Sequence, residues 1–166
     1  MRRATIADAG KLALIGAASF LETFANDHPG DATVDFIRTY HSENAWAAML
    51  ANPETVVWIA EEVAGCPVGY AVLSPASSPG TAPDDAELKR IYVLSKWHGT
   101  GIGRALFDVA EAEARSRRAS RLVLSVYKSN WRAIRFYERQ GFVVIGEATF
   151  AEFPVEFADN IMAKPL

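Results

Sequence analysis

Cysteine, histidine and surplus charge are all scarce in this chain, and each scarcity excludes a class of chemistry. Cys66 is the only cysteine among 166 residues. No intramolecular disulfide can form, and a zinc cluster is not expected. Next to Ala64-Gly65, Cys66 reads as a small apolar filler beside a turn. Of the three histidines, His28 and His41 lie in the N-terminal region and read as surface residues rather than ligands. No metal is implied. Seventeen Lys and Arg against 20 Asp and Glu leave a net charge of −3. That balance lacks the basic surface of a nucleic-acid binder, although it suits a small cationic substrate. No apolar run approaches the ~20 residues of a membrane span, and the N-terminus lacks a signal peptide's uninterrupted apolar stretch. The expectation is a soluble cytoplasmic protein without a membrane partner, in one domain covering residues 1–166.

What is present is an alternation of helical and strand patterns. Thr5 with Asp8 resembles a capping arrangement at the head of a helix expected over 5–25, with Ala17, Phe20, Leu21 and Phe24 on one face. A polar break, 26–31, contains Pro29-Gly30. A helical stretch over 34–51, in one or two pieces, ends at Pro53. Residues 55–62 and 67–74, rich in Val, Ile, Tyr and Trp, read as an antiparallel hairpin, with Trp46 and Trp58 as packing residues. The stretch 75–84, with Pro75, Pro79, Gly80 and Pro83, reads as a mobile surface loop. A strand over 85–93, a helix over 102–118, a strand covered on both faces over 122–126 and a helix over 131–140 follow. Strands over 142–150 and 153–163 close the chain. The order predicts a mixed α/β sandwich.

The stretch that carries chemistry runs from Glu87 through Val93 to Trp97-His98-Gly99-Thr100-Gly101-Ile102-Gly103-Arg104. A strand feeds a glycine-rich turn that opens directly into a helix. Helix N-termini present unpaired N–H groups and partial positive charge, and glycines let a pyrophosphate approach them. A tight structural turn would use glycines too. A dinucleotide-binding βαβ unit would put such a turn near the N-terminus, and this one lies past mid-chain after a hairpin.

On Glu87 to Arg104 the chain resembles the first signature motif of the GNAT acetyltransferases, Gln or Arg, two residues, Gly, one residue, Gly or Ala. Asn130, Ala133, Ile134, Phe136, Tyr137, Gly141 and Phe142 resemble the second, in the family's order and spacing. His98 departs from the pattern by standing where the family has Gln or Arg, which bears on a side-chain contact and not on the backbone site. The Trp97-His98-Gly99 opening, the Ser19-Phe20…Glu22-Thr23-Phe24 stretch and the closing Asp159…Met162…Lys164…Leu166 resemble the narrower PaiA-like spermidine and diamine branch.

The resemblance implies the GNAT acyl-CoA N-acyltransferase fold: a mixed, mostly antiparallel sheet with a central parallel strand pair and helices on both faces. It implies acetyl-CoA as cosubstrate and a primary amine as acceptor, a small cation such as a polyamine. Glu87 matches the family's general base, with an ordinary strand residue as the alternative. Tyr137 matches the general acid toward the coenzyme sulfur, with a core aromatic as the alternative. Ile91, Tyr92 and Val93 would bond the pantetheine arm through their backbone, and His98, Gly99, Thr100, Gly101, Ile102 and Gly103 would cradle the pyrophosphate, with Arg104 adding positive charge near the phosphates or standing as a solvated helix residue. Asn130 would bond the arm or cap its helix. Glu22 and Phe24 would line the acceptor pocket. Arg115, Arg117, Arg118 and Arg121 read as a solvated helix end. Dimers are common in the family, and no feature of the sequence demands one. Acetylation of a protein N-terminus or lysine is the alternative within the class, and a non-catalytic acyl-CoA sensor the alternative outside it.

Overall fold

The computed structural model describes residues 1–150 and 157–166. Seven strands make one mixed sheet in the order β1-β2-β3-β4-β5-β7-β6. They are β1 (Arg2–Arg3), β2 (Val56–Glu61), β3 (Pro67–Pro75), β4 (Ala86–Val93), β5 (Arg121–Tyr127), β6 (Val143–Phe150) and β7 (Phe157–Pro165). Among the described residues the five α-helices are α1 (Ala9–Phe24), α2 (Gly30–Tyr40), α3 (Glu43–Ala51), α4 (Ile102–Ser116) and α5 (Trp131–Arg139). This is the expected fold class. The start expected for the last strand, at 153, lies outside the described residues. None of the described helices is long and apolar enough to cross a membrane.

The chain divides into two compact units. The first comprises residues 1–73 and 90–110, the second 74–89 and 111–166. In the first unit the helix expected from residue 5 begins as a 3-10 turn, Ile6–Asp8. The Thr5 N–H donates to Asp8 Oδ2 at 2.8 Å, the capping contact expected of that pair. Asp8 also receives Arg2, at 2.7 and 2.8 Å, so the short strand β1 is tied to the helix head. The second helical stretch divides in two because Ser42 caps a new start, accepting from Ala45 N at 3.2 Å. β2 and β3 form the expected hairpin, turning at Gly65 with φ 84°. Cys66, expected as an apolar filler, is exposed, because the hairpin turn carries it past the core.

The histidine expectation is overturned. His41 is 3% exposed, enclosed by the rings of Phe20, Phe36 and Trp46, and His28 packs half-buried on Phe20 and Phe24. Gly16 makes the His41 site: a Cβ there would stand 2.3 Å from His41 Nδ1. Trp46 is fully buried and Trp58 nearly so, as expected.

Burial, with Arg90 nearby, pushes the His41 imidazole down to about 3. The unfolded imidazole titrates near its ordinary value, so between pH 6.5 and 3 the unfolded chain holds the extra proton and acid favours unfolding. From pH 7 to 5 this group alone is expected to remove about 2 kcal/mol of stability. His28, also lowered by burial, acts in the same direction. Asp8, held well below the carboxylate range mainly by its Arg2 hydrogen bonds, loses its contribution only as pH falls through the ordinary Asp range. Urea unfolding at pH 7 and 5 should therefore show a smaller pH difference for His41→Leu than for the wild type. Equal differences would remove the assignment.

In the second unit β5 pairs with β7, and β7 with β6, antiparallel, while β4 meets β5 in parallel. The stretch 76–84, expected to be mobile, is tied down. Asp85 takes Arg121 at 2.6 and 2.9 Å and Ala82 N at 2.7 Å. Arg115 and Arg117 pair with Glu111 and Glu113 four residues earlier, the solvated helix end expected of them.

Candidate active site

The glycine turn belongs to the first unit. A short 3-10 turn, Ser95–Trp97, leaves β4 and leads into Gly99 and Gly101, which sit at φ 81° and 91°. At both positions an added Cβ would meet nothing within 4 Å. The backbone there demands glycine, and the space beyond it is open, as a cradle for a phosphate requires. Gly103 is in ordinary helical conformation, where a Cβ would make normal contact with Val93 at 3.9 Å. The first N–H groups of α4 point out of its N-terminus unbonded within the helix. These residues fit the pyrophosphate of a coenzyme A thioester.

Three side chains brace the segment before that turn. Glu22 accepts from Ser95 N at 2.9 Å and Ser95 Oγ at 3.2 Å. Glu62 accepts from the Trp97 indole N–H. His98 Nε2 lies 2.6 Å from the Val93 carbonyl, so that nitrogen carries the proton and donates. Through these contacts Glu22, expected at an acceptor pocket, and His98, expected at the pyrophosphate, hold the chain that leads into the turn. Phe24 packs with tilted rings against Phe20 and His28. Arg104 pairs with Asp108 at 2.7 Å on the surface of α4. Gly69 lets β3 approach the Ile91–Val93 stretch: its Cβ would collide with the Tyr92 carbonyl oxygen at 2.9 Å. The Val68 carbonyl accepts from Leu94 N at 2.9 Å.

The second unit holds Glu87, Asn130 and Tyr137. The parallel ladder joins Ala86 to Leu122 and Glu87 to Val123 and stops there, leaving Leu88 and Lys89 unladdered to β5. Glu87, 5% exposed, stands where the strands part. Its Oε2 accepts from Ser77 N at 2.7 Å, Ser77 Oγ at 3.2 Å and Ser78 N at 3.2 Å, and its Oε1 from Ser78 Oγ at 3.1 Å. Neither serine is legible in the sequence, because partners nine and ten residues away across a loop leave no periodic signal. Among the described residues Oε1 accepts from Ser78 Oγ alone, which leaves it capacity for a second donor.

Asn130 caps α5, accepting from Ala133 N at 3.1 Å. Tyr137 is 8% exposed, with its ring centre 5.4 Å from Phe136 and 5.7 Å from Phe142. The helix ends at Gly141, φ 91°, where Phe142 N returns to the Tyr137 carbonyl at 3.1 Å. That return fixes the spacing between Tyr137 and Gly141-Phe142.

The family model for the GNAT acetyltransferase family matches residues 17–142. An uncharacterised N-acetyltransferase of Mycobacterium bovis is 31% identical over 159 residues, 96% of this chain and 98% of its own length. The peptidyl-lysine N-acetyltransferase YjaB of Escherichia coli K12 is 28% identical over 119 residues, 71% of each chain. Among solved structures, the PaiA N-acetyltransferase of Thermoplasma acidophilum in complex with coenzyme A superposes with a TM-score of 0.81 at 22% identity. That superposition covers 99% of this chain and 97% of the other. A parallel strand pair that parts at Glu87, a glycine turn that opens into a helix and these matches agree: the chain belongs to the GNAT family and is an acetyl-CoA-dependent N-acetyltransferase.

Proposed function

We propose that the whole chain works as one cytoplasmic domain that acetylates a primary alkyl amine, a small cation such as a polyamine, by direct attack on acetyl-CoA. One observation carries the reading: a buried carboxylate, Glu87, stands at the residue where the parallel strands part, in the same compact unit as Tyr137. An alkyl ammonium releases its proton at about pH 10, so the amine must be deprotonated before it attacks. Glu87 Oε1 takes that proton, directly or through water. The amine nitrogen then bonds to the acetyl carbon, the carbon–sulfur bond breaks as the Tyr137 hydroxyl gives its proton to the departing sulfur, and the nitrogen's second proton passes through water to the tyrosinate, restoring Tyr137. Ser77 and Ser78 hold the carboxylate in one orientation.

The glycine turn binds the coenzyme through backbone N–H groups from Gly99 to Arg104, and Ile91 to Val93 bond the pantetheine arm. Glu22 and His98 support this by fixing Ser95 and Val93. Gly101→Ala puts a Cβ into a backbone at φ 91° and into the space reserved for phosphate. It is expected to raise KM for acetyl-CoA about tenfold, with a much smaller change in kcat. An unchanged KM would take the pyrophosphate away from this turn.

A lysine side chain is also a primary alkyl amine, and the likeness to a peptidyl-lysine N-acetyltransferase makes a protein acceptor the second reading. The deciding experiment measures thiol release from acetyl-CoA against spermidine, spermine, short diamines and a panel of peptides. Turnover with polyamines alone supports the first reading, and turnover with peptides alone supports the second. Tight acetyl-CoA binding without turnover on either would point to a sensor.

A further inference from the structure

A second carboxylate stands on the face of the second unit's sheet that carries Glu87. The register pairs Leu122 with Lys164, and Lys164 Nζ meets Glu111 of α4 at 2.5 Å. Leu122, Leu124 and Val126 therefore share the face turned to that part of α4. Alternation puts Val123, Ser125 and Tyr127 on the opposite face, with their partners Ala163, Ile161 and Asp159. Glu87 pairs with Val123 and joins them. On this face Asp159 Oδ2 accepts from Ser125 Oγ at 2.6 Å. Among the described residues Oδ1 has no donor, and Asp159 has no ion pair.

Tyr127 is the direct cross-strand partner of Asp159. Phe157, two residues away on β7, sets its ring edge-on to Tyr127 with centroids 5.5 Å apart. The result is a half-buried anion bordered by aromatic rings, the surroundings that suit an alkyl ammonium. Burial pushes the Asp159 carboxyl up from its ordinary range, with the Ser125 bond only partly offsetting it. A cation beside it would relieve that cost.

We propose that Asp159, oriented by Ser125 and bordered by Tyr127 and Phe157, receives the distal ammonium of a long polyamine whose other end is acetylated beside Glu87. The spacing selects length. Tyr127 lies four residues beyond Val123, about 13 Å along β5, and Asp159 and Glu87 stand two strand spacings apart, about 10 Å. A triamine reaches across that span, and a short diamine does not. The proposal rests on the reading of the acceptor as a small cationic amine.

The test compares spermidine with heptylamine, which has the same seven carbons, is two chain atoms shorter and carries no distal charge, in wild type and Asp159→Asn. Asparagine keeps the shape and an acceptor for Ser125, and removes the charge. The expected result is a rise in KM for spermidine of about tenfold or more, with heptylamine and acetyl-CoA kinetics within twofold of wild type. An equal effect on both amines, or none, overturns the proposal and leaves the acceptor reading standing. Calorimetric titration of spermidine into wild type separates the two: neither binding nor turnover would sink the acceptor reading and this proposal with it. Should Asp159→Asn fail to fold, Ser125→Ala is expected to raise KM for spermidine several-fold and spare heptylamine, and no change would overturn the proposal.

Discussion

Replacing Tyr137 by phenylalanine is expected to lower kcat about a hundredfold while leaving the Kd for acetyl-CoA within about twofold. The ring is packed on Phe136 and Phe142, and the main chain is held by the return of Phe142 N to the Tyr137 carbonyl. Phenylalanine preserves all of these contacts and deletes only the hydroxyl. The size of the loss follows from the leaving group. A thiol with a pKa of about 8.5 departs more easily than an alkoxide, so proton donation contributes at the lower end of the range for general acids. Single-turnover measurement of thiol release, with equilibrium binding of the coenzyme measured separately, checks both halves. A loss confined to coenzyme affinity would make Tyr137 a packing residue. An unchanged kcat would move the acid elsewhere.

What the sequence made legible is what is encoded locally. The turn from Gly99 to Gly103, the cap at Asn130 and the stop at Gly141 each combine a backbone demand with a residue type that meets it, within a few positions. The hairpin and the strand at β5 were legible for the same reason, because alternation and apolar runs are short-range signals. Contacts that join distant segments were not. Glu22 reaches Ser95 across 73 positions and Glu62 reaches Trp97 across 35, so the bracing of the glycine turn left no pattern to read. The burial of His41 was equally hidden. Its only trace is Gly16, a residue whose missing side chain acquires meaning once the two are seen in contact. Asp159 stood out only as part of a terminal resemblance. The register of β7 on β5 shows that it shares a face with Glu87.

Glu87 is the residue at which structure and chemistry are hardest to separate, and two substitutions separate them. Glutamine in this position retains an oxygen for the Ser77 and Ser78 N–H groups and turns an NH2 toward Ser78 Oγ, whose hydroxyl rotates to accept. The 76–84 loop stays tied and the charge is gone. Glu87→Gln is therefore expected to lower kcat about a hundredfold, at the low end for general bases, and to flatten the acidic limb of the pH–rate profile. Its thermal unfolding midpoint should stay within a few degrees of wild type. Alanine removes the acceptor as well, leaving two buried or half-buried N–H groups and two hydroxyls to find other partners. Glu87→Ala is expected to lose the same factor in kcat and to be destabilised by about 2 kcal/mol besides. If Gln and Ala fall together in stability while Gln keeps its turnover and pH profile, Glu87 only anchors the loop, and the proton leaves the amine by another route. If Gln loses turnover at undiminished stability, the carboxylate's charge does the work, and the serines serve to aim it.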